Sequence, residues 1–391
     1  MQLRFTPPFY LKLTCYLIFI IALGYLMSIG QTILVPIILG ILFAILLLPV
    51  ARFFERRLRF SRSMASIFTT ILFNVVLAGI IFIIGRQLTT VANDWPDFQE
   101  HFQEGFNDIM IWIQDTFGIS MKDQSAYISQ TTGKAVTRGG EIIGVTLLSL
   151  SSVILLLVFT FLFTFFMLMY RKHLAKFMLI NFKEEYHPVV MEVLEQIQFM
   201  VKKYLIGLVI QMVIVSGLVF IALTIIGVKY AWLIALISGL INVLPYIGIF
   251  TALLIAVIVT FGTSPVSSVI FVIIAYVIIH AIDGNYVMPK IVGSKVKINS
   301  LIAMLGIVIG EHLWGIAGMF LAIPMIAIMK IVFDRIHELK AWGYLLGEEE
   351  DEEAPLFSSA LGSIFKTGKK EISIEQMEKD RHEGCVEEEE D

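Results

Sequence analysis

Eight stretches of apolar residues, most of them close to 20 residues long, run through this chain. A helix needs roughly 20 apolar residues to cross a bilayer, because the hydrocarbon core is about 30 Å thick and a helix rises about 1.5 Å per residue. The stretches are Leu11–Ile29, Ile33–Val50, Ala65–Ile84, Thr146–Tyr170, Tyr204–Gly227, Ala231–Phe261, Val266–Ile282 and Leu301–Phe333. They predict an all-α fold, a polytopic transmembrane bundle of about eight helices.

The composition excludes a water-soluble protein. Hydrophobic residues make up 57% of the chain and charged residues 16%, whereas soluble domains carry roughly a quarter charged residues. A soluble chain of this length cannot hide so much apolar surface, because each of its domains needs a polar exterior. The first apolar stretch runs into the second without a small-residue cleavage site, so we expect a retained helix rather than a signal peptide.

Lysine and arginine near the ends of the stretches predict the orientation, because these residues collect on the cytoplasmic side. Residues 51–63 carry five Arg and one Glu, and residues 171–203 carry six basic residues, so both segments are predicted to be cytoplasmic. Residues 86–141 carry four basic and eight acidic residues and are predicted to be external. The N-terminus and the C-terminal tail are therefore expected inside.

Four regions follow from this pattern. Residues 1–89 hold the first three membrane helices, and residues 90–142 form an external segment with an amphipathic stripe that starts at Phe98. Residues 143–340 hold the remaining helices, with a cytoplasmic loop at 171–203. Residues 341–391 form an acidic tail, of which 348–391 carry 16 acidic and 5 basic side chains. Such charge runs are typically solvated.

The sixth apolar stretch is interrupted at Asn242–Gly248. Pro245 lacks a backbone donor, Gly248 permits close approach, and Asn242 and Tyr246 bring polar groups. Lipid offers no hydrogen bonds, so a broken helix persists at membrane depth only where protein or water covers it. Transporters place binding sites at such breaks. The alternative is a simple proline kink between packed helices.

The eighth stretch has a second interruption. Its four glycines would let two backbones approach closely, and Pro324 would bend the last part; the glycines are Gly306, Gly310, Gly315 and Gly318. Glu311 and His312 are ionisable in an otherwise apolar sequence, which costs a few kcal/mol at membrane depth. Alternatively both lie in a wet loop. Either interrupted stretch can cross the membrane once or re-enter as a hairpin, and the lysines near residue 295 fit the charge rule only in the second case.

Between the two interruptions lies a third polar group. His280 and Asp283 are three residues apart, so on a regular helix they share a face and can interact. An acid paired with a histidine could relay protons or bind a cation. Asn285 and Pro289 follow in the same segment. The alternative is that Asp283 only ends the helix near the headgroups.

Motifs of soluble enzymes do not occur. The sequence has no phosphate-binding Gly-Lys-Ser/Thr loop, and its His, Cys and acidic residues lack the spacing of zinc sites. We therefore expect no enzyme activity, no cofactor, no metal and no nucleic-acid partner.

Three motifs occur in order and carry a resemblance. They are Asn242-Val-Leu-Pro-Tyr-Ile-Gly248, Asp283 followed by Val287-Met-Pro289-Lys-Ile-Val-Gly293, and Leu313-Trp-Gly-Ile-Ala-Gly-Met-Phe-Leu-Ala-Ile-Pro324. Over roughly residues 10–340 the chain resembles the autoinducer-2 exporter (AI-2E) family, also described as PerM-like permeases. The resemblance implies about eight membrane helices, an inner-membrane location and homo-oligomers. It also implies export of a small signalling molecule or, for some members, sodium/proton exchange.

The leading hypothesis is a secondary transporter that exports a small polar or signalling molecule. The residues expected along its pathway, as polar groups or as breaks, are Asn242, Pro245, Tyr246, Gly248, His280, Asp283, Asn285, Pro289, Glu311, Gly315, Gly318 and Pro324. One alternative is a cation/proton antiporter with Asp283 and Glu311 as carriers. Another is a membrane scaffold whose acidic tail recruits a partner, and deletion of residues 348–391 would separate a scaffold from a transporter. An intramembrane hydrolase is the least favoured.

Overall fold

The computed structural model describes residues 8–118, 153–244, 247–291 and 297–348, and these residues are almost entirely helical. The helices are α1 Phe9–Ile29, α2 Gln31–Arg57, α3 Arg62–Asn93, α4 Trp95–Phe117, α5 Val153–Ile180, α6 His187–Ile226, α7 Ala231–Ile241, α8 Ile247–Phe261, α9 Val266–Ile282, α10 Met288–Ile291, α11 Ser300–Phe333 and α12 Lys340–Leu346. A five-residue π-helical turn, Asp283–Val287, joins α9 to α10. Seven helical stretches are long and apolar enough to cross a membrane. The prediction of an all-α polytopic bundle is confirmed.

The bundle has two ends that differ in charge. At one end α2 finishes and α6 begins, and ion pairs there join Arg171 to Glu55 at 2.6 Å and Arg335 to Glu192. We call this the basic end, because residues 51–63 and 171–203 bring five and six basic side chains to it. At the other end α3 gives way to α4, and Lys229 lies 2.9 Å from Asp94. We call this the α4 end.

Helix α4 carries the apolar stripe that starts at Phe98, within the part of residues 90–142 that the structure describes. Pro96 lies in its first turn, where a missing backbone donor costs nothing. Phe102 and Phe106 pack edge-on against Phe261 at the end of α8, with ring centroids 5.0 and 5.1 Å apart. The apolar face of α4 therefore covers the end of α8.

The segment Ala231–Phe261 is a hairpin, because both of its ends lie at the α4 end. Tyr230, just before α7, donates a hydrogen bond to Asp94, and Phe261, the last residue of α8, packs on α4. With 11 and 15 residues, α7 and α8 are each too short to cross about 30 Å of hydrocarbon. The end of α7 at residues 242–244 therefore lies inside the bundle, and we call this unit hairpin 1.

The segment Ser300–Phe333 is also a hairpin, although its length alone would suit one tilted helix. In a continuous helix Gly306 and Ile326 would be about 30 Å apart; here they are in contact. The chain reverses at Trp314 and Gly315, whose dihedral angles are not helical, and Gly315 has φ +58°. Its two halves run side by side from the basic end, and we call this unit hairpin 2.

The two hairpins therefore enter from opposite ends and meet. Leu244 at the tip of hairpin 1 packs against Ile307, Met319 and Ala322 of hairpin 2. The second half of hairpin 2 also packs on α2 and α6 through Leu321 and Ala327. Of the lysines that the charge rule left open, Lys297 lines a cleft with Gln196 and Lys330 at the basic end, as the re-entrant alternative requires.

Part of the region assigned to the acidic tail packs back on the bundle. In α12, Gly343 lies against Asp334. Beyond it the backbone N–H of Asn299 donates to the Leu346 carbonyl at 3.0 Å, and Gly347 forms an antiparallel bridge with Ile298. Glu348 is thereby held beside the start of hairpin 2.

Candidate functional site

A buried carboxylate lies where three elements converge. The Gln211 side-chain amide, from the middle of α6, donates to both carboxylate oxygens of Asp283 at 3.0 Å. The Asn242 amide, at the end of α7, donates to one of them at 3.1 Å. Asp283 and Gln211 are only 5% and 6% exposed. Gln211 is about 12 Å along the helix from Lys203, inside the apolar part of α6.

Local backbone breaks bring these groups together. Asp283 begins the π-helical turn, where the regular i to i−4 bonding of α9 is interrupted; such turns occur frequently at functional sites. Asn242 is the residue at which α7 ends. Gly248 packs so closely on this end that a Cβ atom would collide with the Ile241 carbonyl oxygen. A short reversal of hairpin 1 therefore needs glycine at residue 248.

The three residues form part of the wall of a cavity of about 430 Å³. Its lining comes from α6, both hairpins and the α9–α10 junction, and includes Tyr204, Leu208, His280, Ser300, Ala303, Ile323 and Glu348. Volumes of 300–1,000 Å³ are usual for pockets that bind small molecules. The cavity is mainly apolar, with a few polar groups concentrated at Asp283.

No Lys, Arg or His side chain pairs with Asp283 in the described ranges. A buried ionised carboxylate without a cation costs several kcal/mol, and neutral amide donors offset only part of that cost. The arrangement therefore suits a carboxylate that binds a cation or the positive part of a solute. Among described residues no group of three His, Cys, Asp or Glu can hold a metal ion.

The expected His280–Asp283 pair is not formed. Both side chains line the cavity, but His280 is exposed and makes no hydrogen bond to Asp283 within the described part of the chain. The partners of Asp283 come instead from other helices. Spacing along one helix gave the wrong partner because Asp283 points into the bundle.

Two further residues of that segment lie away from the cavity wall. Asn285 is exposed and donates to the Ala281 carbonyl at 2.8 Å, so it bonds to its own helix. Pro289 is exposed in α10. Pro245 and Tyr246, predicted along the pathway at the interruption of the sixth apolar stretch, lie outside the described residues.

Most of the predicted pathway residues in hairpin 2 shape its backbone. Gly318 faces Gly310 across the hairpin, and a Cβ atom on either would collide with the carbonyl oxygen of the other. Gly315 supplies the left-handed conformation of the reversal, and Pro324 is buried in the second half. Glu311 is exposed and pairs with His312 at 2.9 Å; neither residue lines the cavity.

Sequence reasoning missed Gln211. The signal was present, since Gln211 is the most polar residue of the fifth apolar stretch, Tyr204–Gly227. A second polar contact, between Ser238 on α7 and Tyr276 on α9 at 2.6 Å, was also missed. It fixes α7 to α9 inside the apolar core.

Comparison with known proteins identifies the family. Residues 15–338 match the family described as AI-2E family transporter. The chain belongs to the AI-2E family of transporters. The match includes every residue of the Asp283 cluster and both hairpins, and it confirms the resemblance stated from the three motifs.

Several bacterial proteins are similar to this chain over long or short parts of its length. The Bacillus subtilis protein named "Putative transport protein YueF" is 26% identical over 317 residues, covering 78% of this chain and 84% of the relative. The Escherichia coli protein named "Putative permease PerM" is 40% identical over 57 residues, which are 15% of this chain and 16% of that protein. A permease or transport function for this chain follows from the family.

Proposed function

We propose that this AI-2E transporter is a secondary exporter of a small polar or signalling molecule, and that the solute binds in the cavity beside Asp283. The observation that carries the proposal is the meeting of two oppositely oriented hairpins around a buried carboxylate. Transporters with inverted hairpins or broken helices hold their substrates at such mid-depth junctions. The polar groups of Gln211 and Asn242 hold the carboxylate toward the cavity.

The opposed hairpins supply a physical route to alternating access. Hairpin 1 separates the cavity from the α4 end, and hairpin 2 contributes Ser300 and Ala303 to the wall toward the basic end. Small movements of either hairpin would open the cavity on one side only. The charge rule supports an inner-membrane location with the basic end, the N-terminus and the tail in the cytoplasm. The family resemblance supports a homo-oligomer.

Cation/proton antiport is a second candidate, because Asp283 is buried without a cation partner in the described ranges. A carboxylate in this setting can exchange a proton for a cation as the hairpins move. In this version the carrier is Asp283; the exposed position of Glu311 does not support a role for it.

Flux measurements in vesicles reconstituted with the full-length protein test both candidates. Exporter activity predicts saturable flux of a small polar solute, which a proton or sodium gradient drives and an ionophore abolishes. Antiport predicts sodium-dependent proton movement with no added solute. Absence of any protein-dependent flux under both conditions would contradict the proposed function.

A further inference from the structure

A cleft between α2 and α6 at the basic end has the features of a lipid-binding site. Its volume is about 220 Å³, and it lies on a different side of α6 from the Asp283 cavity. Its apolar wall comes from Ile45, Leu48 and Pro49 of α2 and from Phe199 of α6. Arg52 and Lys202 line it from the two helices.

Both cations of this cleft lack a protein partner. Arg52 and Lys202 form no ion pair or hydrogen bond with any residue in the described ranges. Glu55 on α2 pairs with Arg171 at 2.6 Å, and Glu192 on α6 pairs with Arg335. Glu195, the acidic residue of α6 nearest to Lys202, is about two helical turns away and does not line the cleft. Two uncompensated positive charges therefore face one small cleft.

The cleft lies at the level where the bundle leaves the hydrocarbon. The apolar part of α2 ends at Val50 and that of α6 begins at Tyr204, so Arg52 and Lys202 flank the boundary. Leu48 and Ile45 lie about 6 and 10 Å deeper along α2 than Arg52. Phe199 is 62% exposed, with Lys203 over its ring at 5.7 Å. Positive charge thus stands above an apolar groove that continues into the membrane.

Two cations beside an apolar groove indicate which kind of ligand the cleft binds. Arginine presents a planar fork of donors that matches a phosphate, and lysine adds a point charge. Basic pockets between membrane helices on the cytoplasmic side bind anionic headgroups. A soluble anion would leave the apolar groove unused, whereas the acyl chains of a lipid fill it.

We propose that this cleft binds an anionic phospholipid, with Arg52 and Lys202 holding the phosphate and with Ile45 and Leu48 contacting an acyl chain. The bound lipid joins α2 to α6, the helix that carries Gln211 about 14 Å further along its axis. The proposal stands on the cleft alone and does not depend on what the Asp283 cavity transports.

Native mass spectrometry of the purified full-length protein tests the proposal. The protein is titrated with phosphatidylglycerol or with phosphatidylcholine of the same acyl chains. We expect the double variant Arg52→Gln, Lys202→Gln to bind phosphatidylglycerol about thirtyfold more weakly, since each basic residue near a membrane surface contributes roughly 1 kcal/mol and about 1.4 kcal/mol is a factor of ten. The double variant Arg57→Gln, Lys172→Gln removes the same charge from exposed positions outside the cleft, and it should bind like wild type.

Two further arms keep the test decisive. Arg52→Lys, Lys202→Arg keeps both charges and should retain the lipid, and a photoactivatable phosphatidylglycerol should cross-link wild-type peptides from residues 40–52 and 198–204. The proposal is overturned if the neutralised variant retains phosphatidylglycerol as wild type does, or if wild type binds both lipids equally. It is also overturned if glycerol 3-phosphate binds as tightly as phosphatidylglycerol, because the cleft would then be a site for soluble anions.

Discussion

The side-chain amide of Gln211 lies 3.0 Å from both carboxylate oxygens of Asp283, although 72 residues separate the two in sequence. This contact ties α6, which is continuous, to the turn at which α9 breaks. Asn242 at the tip of hairpin 1 adds a third hydrogen bond to the same carboxylate. The hydrogen bonds to this one carboxylate therefore depend on the relative position of α6, hairpin 1 and the α9–α10 junction.

Replacing Gln211 with Leu should impair both stability and transport. The change leaves Asp283 buried with one amide donor, and hydrogen bonds to a charged group each contribute about 1.5–3 kcal/mol. We expect a lower unfolding temperature in detergent and at least a several-fold loss of vesicle flux. Gln103→Leu on the exposed face of α4 is the matched control. If Gln211→Leu and wild type have equal flux and equal unfolding temperatures, Gln211 does not support Asp283 in transport or in stability.

Adding a methyl group at Gly318 should force hairpin 2 apart. The Cβ atom of alanine would collide with the Gly310 carbonyl oxygen, and backbone cannot move aside as a flexible side chain can. Overpacking of this kind costs about 1–3 kcal/mol, so Gly318→Ala should melt earlier and transport less. Gly217→Ala in α6 meets no atom within 4 Å and should behave as wild type. If the two variants are indistinguishable, the close crossing of the hairpin is wrong.

Neutralising Glu311 should leave transport intact. Glu311 is exposed, pairs with the neighbouring His312 and does not line the cavity. Glu311→Gln should therefore retain wild-type rates of solute or cation flux at every pH tested. A loss of gradient-driven flux in this variant would restore Glu311 as a carrier and would argue that hairpin 2 opens toward it.

The contact between Asp94, Tyr230 and Lys229 should make the docking of α4 sensitive to acid. A hydrogen bond from Tyr230 and, second to it, the ammonium of Lys229 hold the pKa of Asp94 below its usual range. A carboxyl group with a lowered pKa in the folded state contributes stability above its unfolded pKa, and that contribution is lost as the pH falls through the folded value. The raised pKa of Lys229, caused first by its hydrogen bond to Asp94, extends the contribution to alkaline pH.

Unfolding temperatures at several pH values check this expectation. Wild type should exceed Asp94→Asn between about pH 5 and 9, and the difference should shrink below about pH 4, where an ordinary aspartate titrates. Asp115→Asn, an exposed site on the same helix, should show no such difference. A difference in unfolding temperature between wild type and Asp94→Asn that stays the same at every pH would show that the charge of Asp94 does not contribute to stability.

The sequence predicted the spans well because apolar length is a local property. It could not decide whether Ala231–Phe261 and Leu301–Phe333 cross or turn back, since that depends on contacts such as Gly306 with Ile326, 20 residues apart. The polar residues Asn242 and Asp283 stood out individually. Their partner Gln211 did not, because it comes from an uninterrupted helix where one amide carries no motif. The His280–Asp283 pairing failed because regular helical spacing does not show which side of α9 faces the bundle.

Solute flux through reconstituted Asp283→Asn is the most direct test of the central claim, that the buried carboxylate between the hairpins carries transport. Asparagine keeps the size of the side chain and one of its two accepting oxygens but removes the charge. Asp108→Asn on the exposed face of α4 makes the same chemical change elsewhere. We predict that Asp283→Asn folds and inserts normally and loses gradient-driven flux, while Asp108→Asn transports as wild type does. Wild-type flux in a correctly folded Asp283→Asn protein would contradict the account.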